Sequence, residues 1–129
     1  MNKEQTLHAF WSQFGVKAYE ENTVISEDEM IKRGIDPYPR ITYEVAVDSF
    51  GQTSALSASI WDRSSSWESV STILHRIGQT LSYGGQELSY DGGAMWIKKG
   101  VPFARHMSDV DDSIRRIVLN IEVEYLSEV

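Results

Sequence analysis

Three closely spaced aspartates, Asp109, Asp111 and Asp112, come nearest in this chain to a metal-binding pattern. A calcium loop of the EF-hand type presents oxygen ligands at fixed intervals around a central glycine and closes on a bidentate glutamate. Asp109-Val110-Asp111-Asp112 has neither the glycine nor the glutamate. A solvated acidic loop leading into a strand is therefore expected. His75 has no Ser or Asp partner placed by sequence, and it points away from the apolar stripe of its helix, so it reads as a surface histidine. Lys98-Lys99 and Arg115-Arg116 form two short basic pairs. Against a net charge of −7 they read as solvated charges and not as a nucleic-acid footprint. The sequence contains no phosphate loop with its lysine, no nucleophile elbow and no His-Glu-x-x-His. It also has no cysteine, which excludes disulfides, thiolate zinc sites and thiol catalysis and fits folding in a reducing cytoplasm. We therefore expect no enzymatic activity, no cofactor and no structural metal.

The elements around these residues follow from apolar spacing. Leu7, Phe10, Trp11 and Phe14 fall at i, i+3, i+4 and i+7, one stripe of an amphipathic helix, and Gly15 suits the left-handed position that ends it. Val16 to Tyr19 reads as a short extended piece. Ser26 with Glu29 is a capping-box signal for a short helix that stops before Gly34. Asp36-Pro37-Tyr38-Pro39 is a stiff, extended entry to the next strand, because each proline pushes its predecessor out of the helical region. Ser65 with Glu68 is a second capping box. It precedes Trp67, Val70, Ile73, Leu74, Ile77 and Leu81, which predict a helix over 66–81. Within it, Trp67, Ile73, Leu74 and Ile77 are expected to pack on Ile121 and Val123.

Strand spacing is equally clear. Ile41, Tyr43, Val45 and Val47 alternate with polar residues, a turn is expected at 49–52, and Leu56, Ala58 and Ile60 continue as the second arm of a hairpin. Asp91-Gly92-Gly93 between extended runs predicts another hairpin, and 99–112 reads as an irregular loop. Ile117, Leu119, Ile121, Val123 and Tyr125 alternate with Arg116, Asn120, Glu122 and Glu124, a core strand with one wet face. As a single strand at about 3.3 Å per residue, 113–126 would span roughly 45 Å, against a radius of gyration of about 14 Å for a domain this size. An overhang with unpaired backbone is therefore expected. Together the elements predict one α+β domain over residues 1–129: a single, mostly antiparallel sheet with two main helices packed on one face. The start of the chain lacks the continuous apolar core of a signal peptide, and no run approaches the about 20 apolar residues of a membrane span.

This order of elements resembles the tail terminator and tail-to-head joining (tail completion, minor tail) proteins of long-tailed bacteriophages and prophages. So do three local strings: Val16-Lys17-Ala18-Tyr19, Pro39-Arg40-Ile41-Thr42-Tyr43, and Leu119-Asn120-Ile121-Glu122-Val123-Glu124-Tyr125. The resemblance implies an α+β structural virion protein without enzymatic activity. It implies a hexameric ring at the head-proximal end of the tail, made in the bacterial cytoplasm, that caps the tube and meets the tail tube and head connector proteins. No catalytic or binding residue is carried over, because the family has no tight site motif. An acidic subunit suits a ring through which DNA slides without specific binding. Apolar residues in the irregular stretch, Val101, Phe103 and Met107, together with Arg115 and Arg116, are the candidate contacts between subunits. Two other classes stay open: a small-molecule enzyme, which needs a pocket of convergent titratable groups, and a monomeric, host-encoded binding or regulatory domain.

Overall fold

The computed structural model describes residues 1–45 and 53–127. Asn2 opens the first helix, α1 (Lys3–Ser12): its side chain accepts from the Gln5 amide while the Gln5 side chain accepts from the Asn2 amide, a complete capping box. Gly15 follows at φ 83° and turns the chain into strand β1 (Lys17–Glu20). Ser26 caps α2 (Glu27–Lys32) by accepting from the Glu29 amide, and the Glu29 carboxylate pairs instead with Arg33. Strand β2 (Arg40–Tyr43) follows the proline-rich entry, and β3 (Thr53–Arg63) pairs with it antiparallel, as the hairpin reading expects. Ala46, Val47 and the 49–52 turn lie outside the described residues.

Helix α3 (Glu68–Leu81) is capped two residues later than expected, at Trp67 and not at Ser65. Trp67 holds the N-cap position without a side-chain bond, and Ser66 Oγ accepts from the Glu68 amide. Strands β4 (Gln86–Tyr90) and β5 (Gly93–Met107) form the Asp-Gly hairpin, with Gly92 at φ 90°. The last strand, β6 (Ile114–Ser127), completes a six-stranded sheet in the order β1-β2-β3-β6-β5-β4.

The chain is α+β, and three features depart from the expected sheet. First, the sheet is mixed, because β1 runs parallel to β2. The link between them passes through α2 and the proline segment, which returns the chain to the starting end before β2 begins. Second, β6 is central and not overhanging. It pairs with β3 from Ile114 to Glu124 and with β5 from Arg116 to Ser127, so long neighbours cover its backbone on both sides. Third, 99–112 is not wholly a loop. β5 runs on to Met107, because β6 offers a ladder long enough to hold it, and only a bulge interrupts the pairing between Lys99 and Ala104.

One cluster fills the core. The α1 residues Leu7, Phe10, Trp11 and Phe14 and the α3 residues Val70, Ile73, Ile77 and Leu81 meet Ile41, Ile60, Met95, Ile97 and the inward residues of β6. Helix α3 touches the central strands β3, β5 and β6. Helix α1 touches β1 and β4, the two outermost strands, so the sheet curls until one helix bridges its edges. Trp67 and Leu74 are only half-buried, a correction to the expected core: the stripe that faces the sheet is Val70, Ile73, Ile77 and Leu81. The third helix, α2, stands apart from the other two. Its Met30 is fully buried outside the main cluster, beside Arg40, whose neighbour across the ladder is Trp61 on the opposite side of the sheet from Ile60.

Candidate functional site

The expected contact residues do not form one patch. At the β5 bulge, Gly100, Val101, Pro102 and Phe103 stand opposite the single residue Asn120. Asn120 Nδ2 donates to the Pro102 carbonyl at 2.8 Å, which pins the bulge. Gly100 is required there, since a Cβ would lie 2.8 Å from the Asn120 carbonyl oxygen. The bulge pushes Val101 into solvent, where it is 95% exposed. Phe103 turns the other way: it packs on the core cluster beneath Lys99, whose ammonium sits 5.1 Å from the ring centroid. Met107 is half-buried. Arg115 and Arg116 point to opposite sides of β6. The Arg115 guanidinium donates to the Asp112 and Ser65 carbonyls and lies over Trp67, whereas Arg116 donates to Ser59 Oγ and lies 4.2 Å from the Trp61 centroid. Of the five, Val101 is the strongly exposed apolar contact.

The aspartate loop is tied into the fold. Asp111 accepts from the Ser113 amide and hydroxyl and pairs with Arg63 at 3.1 Å, and these bonds, those of Ser113 first, hold its carboxyl down to about 2. Among the described residues no group of His, Asp and Glu side chains is placed to hold a metal ion. His75 is exposed on α3, as expected.

A groove of about 900 Å³ runs between α1 and β1, lined among others by His8, Ala18, Tyr19, Glu20, Tyr43 and Val45. Tyr43 OH and His8 Nδ1 are 3.1 Å apart, and His8 Nε2 lies 3.3 Å from Ser12 Oγ. Burial, helped by the nearby Glu20 charge, pushes the Tyr43 phenol up to about 12. At neutral pH it stays protonated and is not a base. The relay lacks a carboxylate behind the histidine, and Glu20 is occupied by the Asn22 amide and side chain. This arrangement orients His8.

The outer side of the sheet, away from the core, carries the larger pattern. Register aligns Lys17, Arg40, Trp61, Arg116 and Met107 in one row across five strands. A row further in, Tyr19, Thr42, Ser59, Val118 and Arg105 follow. The Arg40 guanidinium lies between Tyr38 and Trp61, at 5.0 and 5.5 Å from their centroids, and Trp61 Nε1 donates to Thr42 Oγ1. Burial lowers the Arg116 pKa from its ordinary value, a shift opposed by Glu21 and Asp109. Arg63 is already committed to Glu27 and Asp111. Towards the other end of the same side stand Glu44, Glu122, Glu124 and Glu87, with Trp96 between the last two in register. Lys98 pairs with Glu122 at 3.6 Å and is the cation of this end. The polar positions of β6 alone do not reveal this face. Its signal was there in the outward residue of each strand, and only register joins them.

No known family model matches the chain, and a search of curated proteins returned no match.

Proposed function

We propose that this protein is a structural subunit of a long-tailed phage or prophage tail, a ring at the head-proximal end that caps the tube and joins it to the head connector. Support comes from the order of elements and the three local strings that resemble tail terminator and tail completion proteins. The number of subunits, six, is taken from that resemblance. The observation that carries the reading is Val101: an aliphatic side chain, almost wholly exposed, held on a pinned bulge of a long strand. A stiffly presented apolar knob gives a partner its surface at little ordering cost. Ring closure needs such a contact on each subunit, met by a different surface of the next.

Sedimentation velocity and negative-stain electron microscopy test the reading. The parent is expected to form closed rings, alone or on purified tail tubes, and Val101→Asp is expected to remain folded and lose assembly. A parent that stays monomeric at all concentrations and ignores tail tubes refutes it. The α1–β1 groove favours a second reading, a monomeric ligand-binding domain. Monomeric mass together with saturable binding of a small molecule that perturbs His8 supports that reading instead.

A further inference from the structure

We propose that the outer side of the sheet is a self-complementary docking surface, on which the acidic end of one copy of this chain binds the basic end of another. This adds a second contact surface to the Val101 contact of the ring reading above and rests on that reading. The basic end comprises Lys17, Arg40, Arg105 and Arg116 around Trp61. The acidic end comprises Glu44, Glu87, Glu122 and Glu124 around Trp96.

The first support is segregation of sign. Opposite charges on neighbouring strands stabilise a sheet, and like charges in register destabilise it. Here Lys17 is the register partner of Arg40, and Glu124 and Glu87 flank the same Trp96. Fold stability alone favours mixing these signs, as the Lys98–Glu122 pair does, so the separation of the remaining charges points to something outside the chain. The second is distance. Eight residues along β6 separate Arg116 from Glu124, about 26 Å at about 3.3 Å per residue, or roughly three Debye lengths at physiological salt. A partner therefore meets two distinct poles. The third is availability: among the described residues, Lys17, Arg105, Glu87 and Glu124 are held in no ion pair.

A polyanion such as nucleic acid fits less well. It would meet Glu21 and Asp109 beside Arg116 and the whole acidic end on the same face. In a ring, each copy turns its basic end to one neighbour and its acidic end to the other.

The test is a charge swap. One variant carries Glu87→Lys and Glu124→Lys, which cancels the charge of its acidic end and leaves its basic end intact. The other carries Lys17→Glu and Arg105→Glu, which cancels the charge of its basic end and leaves its acidic end intact. Circular dichroism checks that each is folded. Each alone is expected to associate roughly tenfold to a hundredfold more weakly than the parent by sedimentation velocity, and an equimolar mixture is expected to recover association. Parent association is expected to fall as salt rises from about 50 to about 500 mM, where the Debye length shrinks severalfold. Variants that assemble like the parent, a mixture that fails to recover, or salt-indifferent association overturn this surface while leaving the ring reading intact. A parent that never self-associates, even on tail tubes, overturns both.

Discussion

Replacing Ile77 and Leu74 separately by alanine measures how α3 is rotated on the sheet. Both substitutions remove three carbons, worth about 0.8 kcal/mol each when fully buried. Ile77 is fully buried in the main cluster, so its loss costs about 2.4 kcal/mol of transfer energy plus a cavity contribution, about 3–4 kcal/mol in all. Leu74 is half-buried at the rim, beside Phe103 and Lys99. Roughly half the transfer energy is lost there and water fills the gap, so about 1 kcal/mol is expected. Alanine's better helix propensity returns a few tenths of a kcal/mol in both cases. Urea denaturation followed by tryptophan fluorescence reads the difference, with the denaturant slope unchanged. In thermal melts Ile77→Ala is expected to fall by about 10 °C and Leu74→Ala by about a third of that. Equal losses, or a larger loss at Leu74, would show that α3 turns Leu74 to the core as fully as Ile77.

Asp111→Asn is expected to remove a pH-dependent contribution to stability. The folded carboxyl titrates at about 2, below its ordinary 3.8, so the contribution is complete above about pH 4 and disappears as pH falls through about 2. Urea midpoints of parent and variant should converge over that interval, and a constant gap down to pH 2 would contradict the assignment. Tyr43 titrates at about 12, above its ordinary 10.0, so its contribution is intact below pH 10 and lost as pH rises through 12. Ultraviolet titration should show a late-ionising phenol that Tyr43→Phe abolishes; a parent in which every tyrosine ionises near pH 10 would refute this. Gly100→Ala drives a methyl group into the Asn120 backbone and should destabilise by about 1–3 kcal/mol in urea denaturation. An unchanged midpoint would mean that the bulge can move away from the Asn120 backbone at no cost.

Much of the secondary structure was legible because it depends on near neighbours in the chain. The stripe Leu7, Phe10, Trp11, Phe14 lies on a helix and its extension, Gly15 takes the left-handed turn, Ser26 caps α2, and Asp91-Gly92 makes its hairpin. Each rests on local sterics or on a hydrogen bond a few residues long. The Ser65 capping box failed at the same scale, because Ser66 competed for the Glu68 amide.

Long-range pairing was decided only by the tertiary structure. Alternation in β6 marks one apolar face, but it does not say how many neighbours the strand has. The expected overhang vanished once β3 and β5 proved long enough to flank it. The stretch after Lys99 lacks a period because its bulge breaks the alternation, so it read as a loop although β6 holds it as a strand. The parallel pairing of β1 with β2 depends on where the α2 segment delivers the chain. For the same reason the row Lys17, Arg40, Trp61, Arg116 was invisible: its members are scattered over a hundred residues, and only register makes them neighbours. The sequence determined which residues face outward on each strand; the ladder decided which of them meet, because register is set by hydrogen bonds between segments that no local pattern connects.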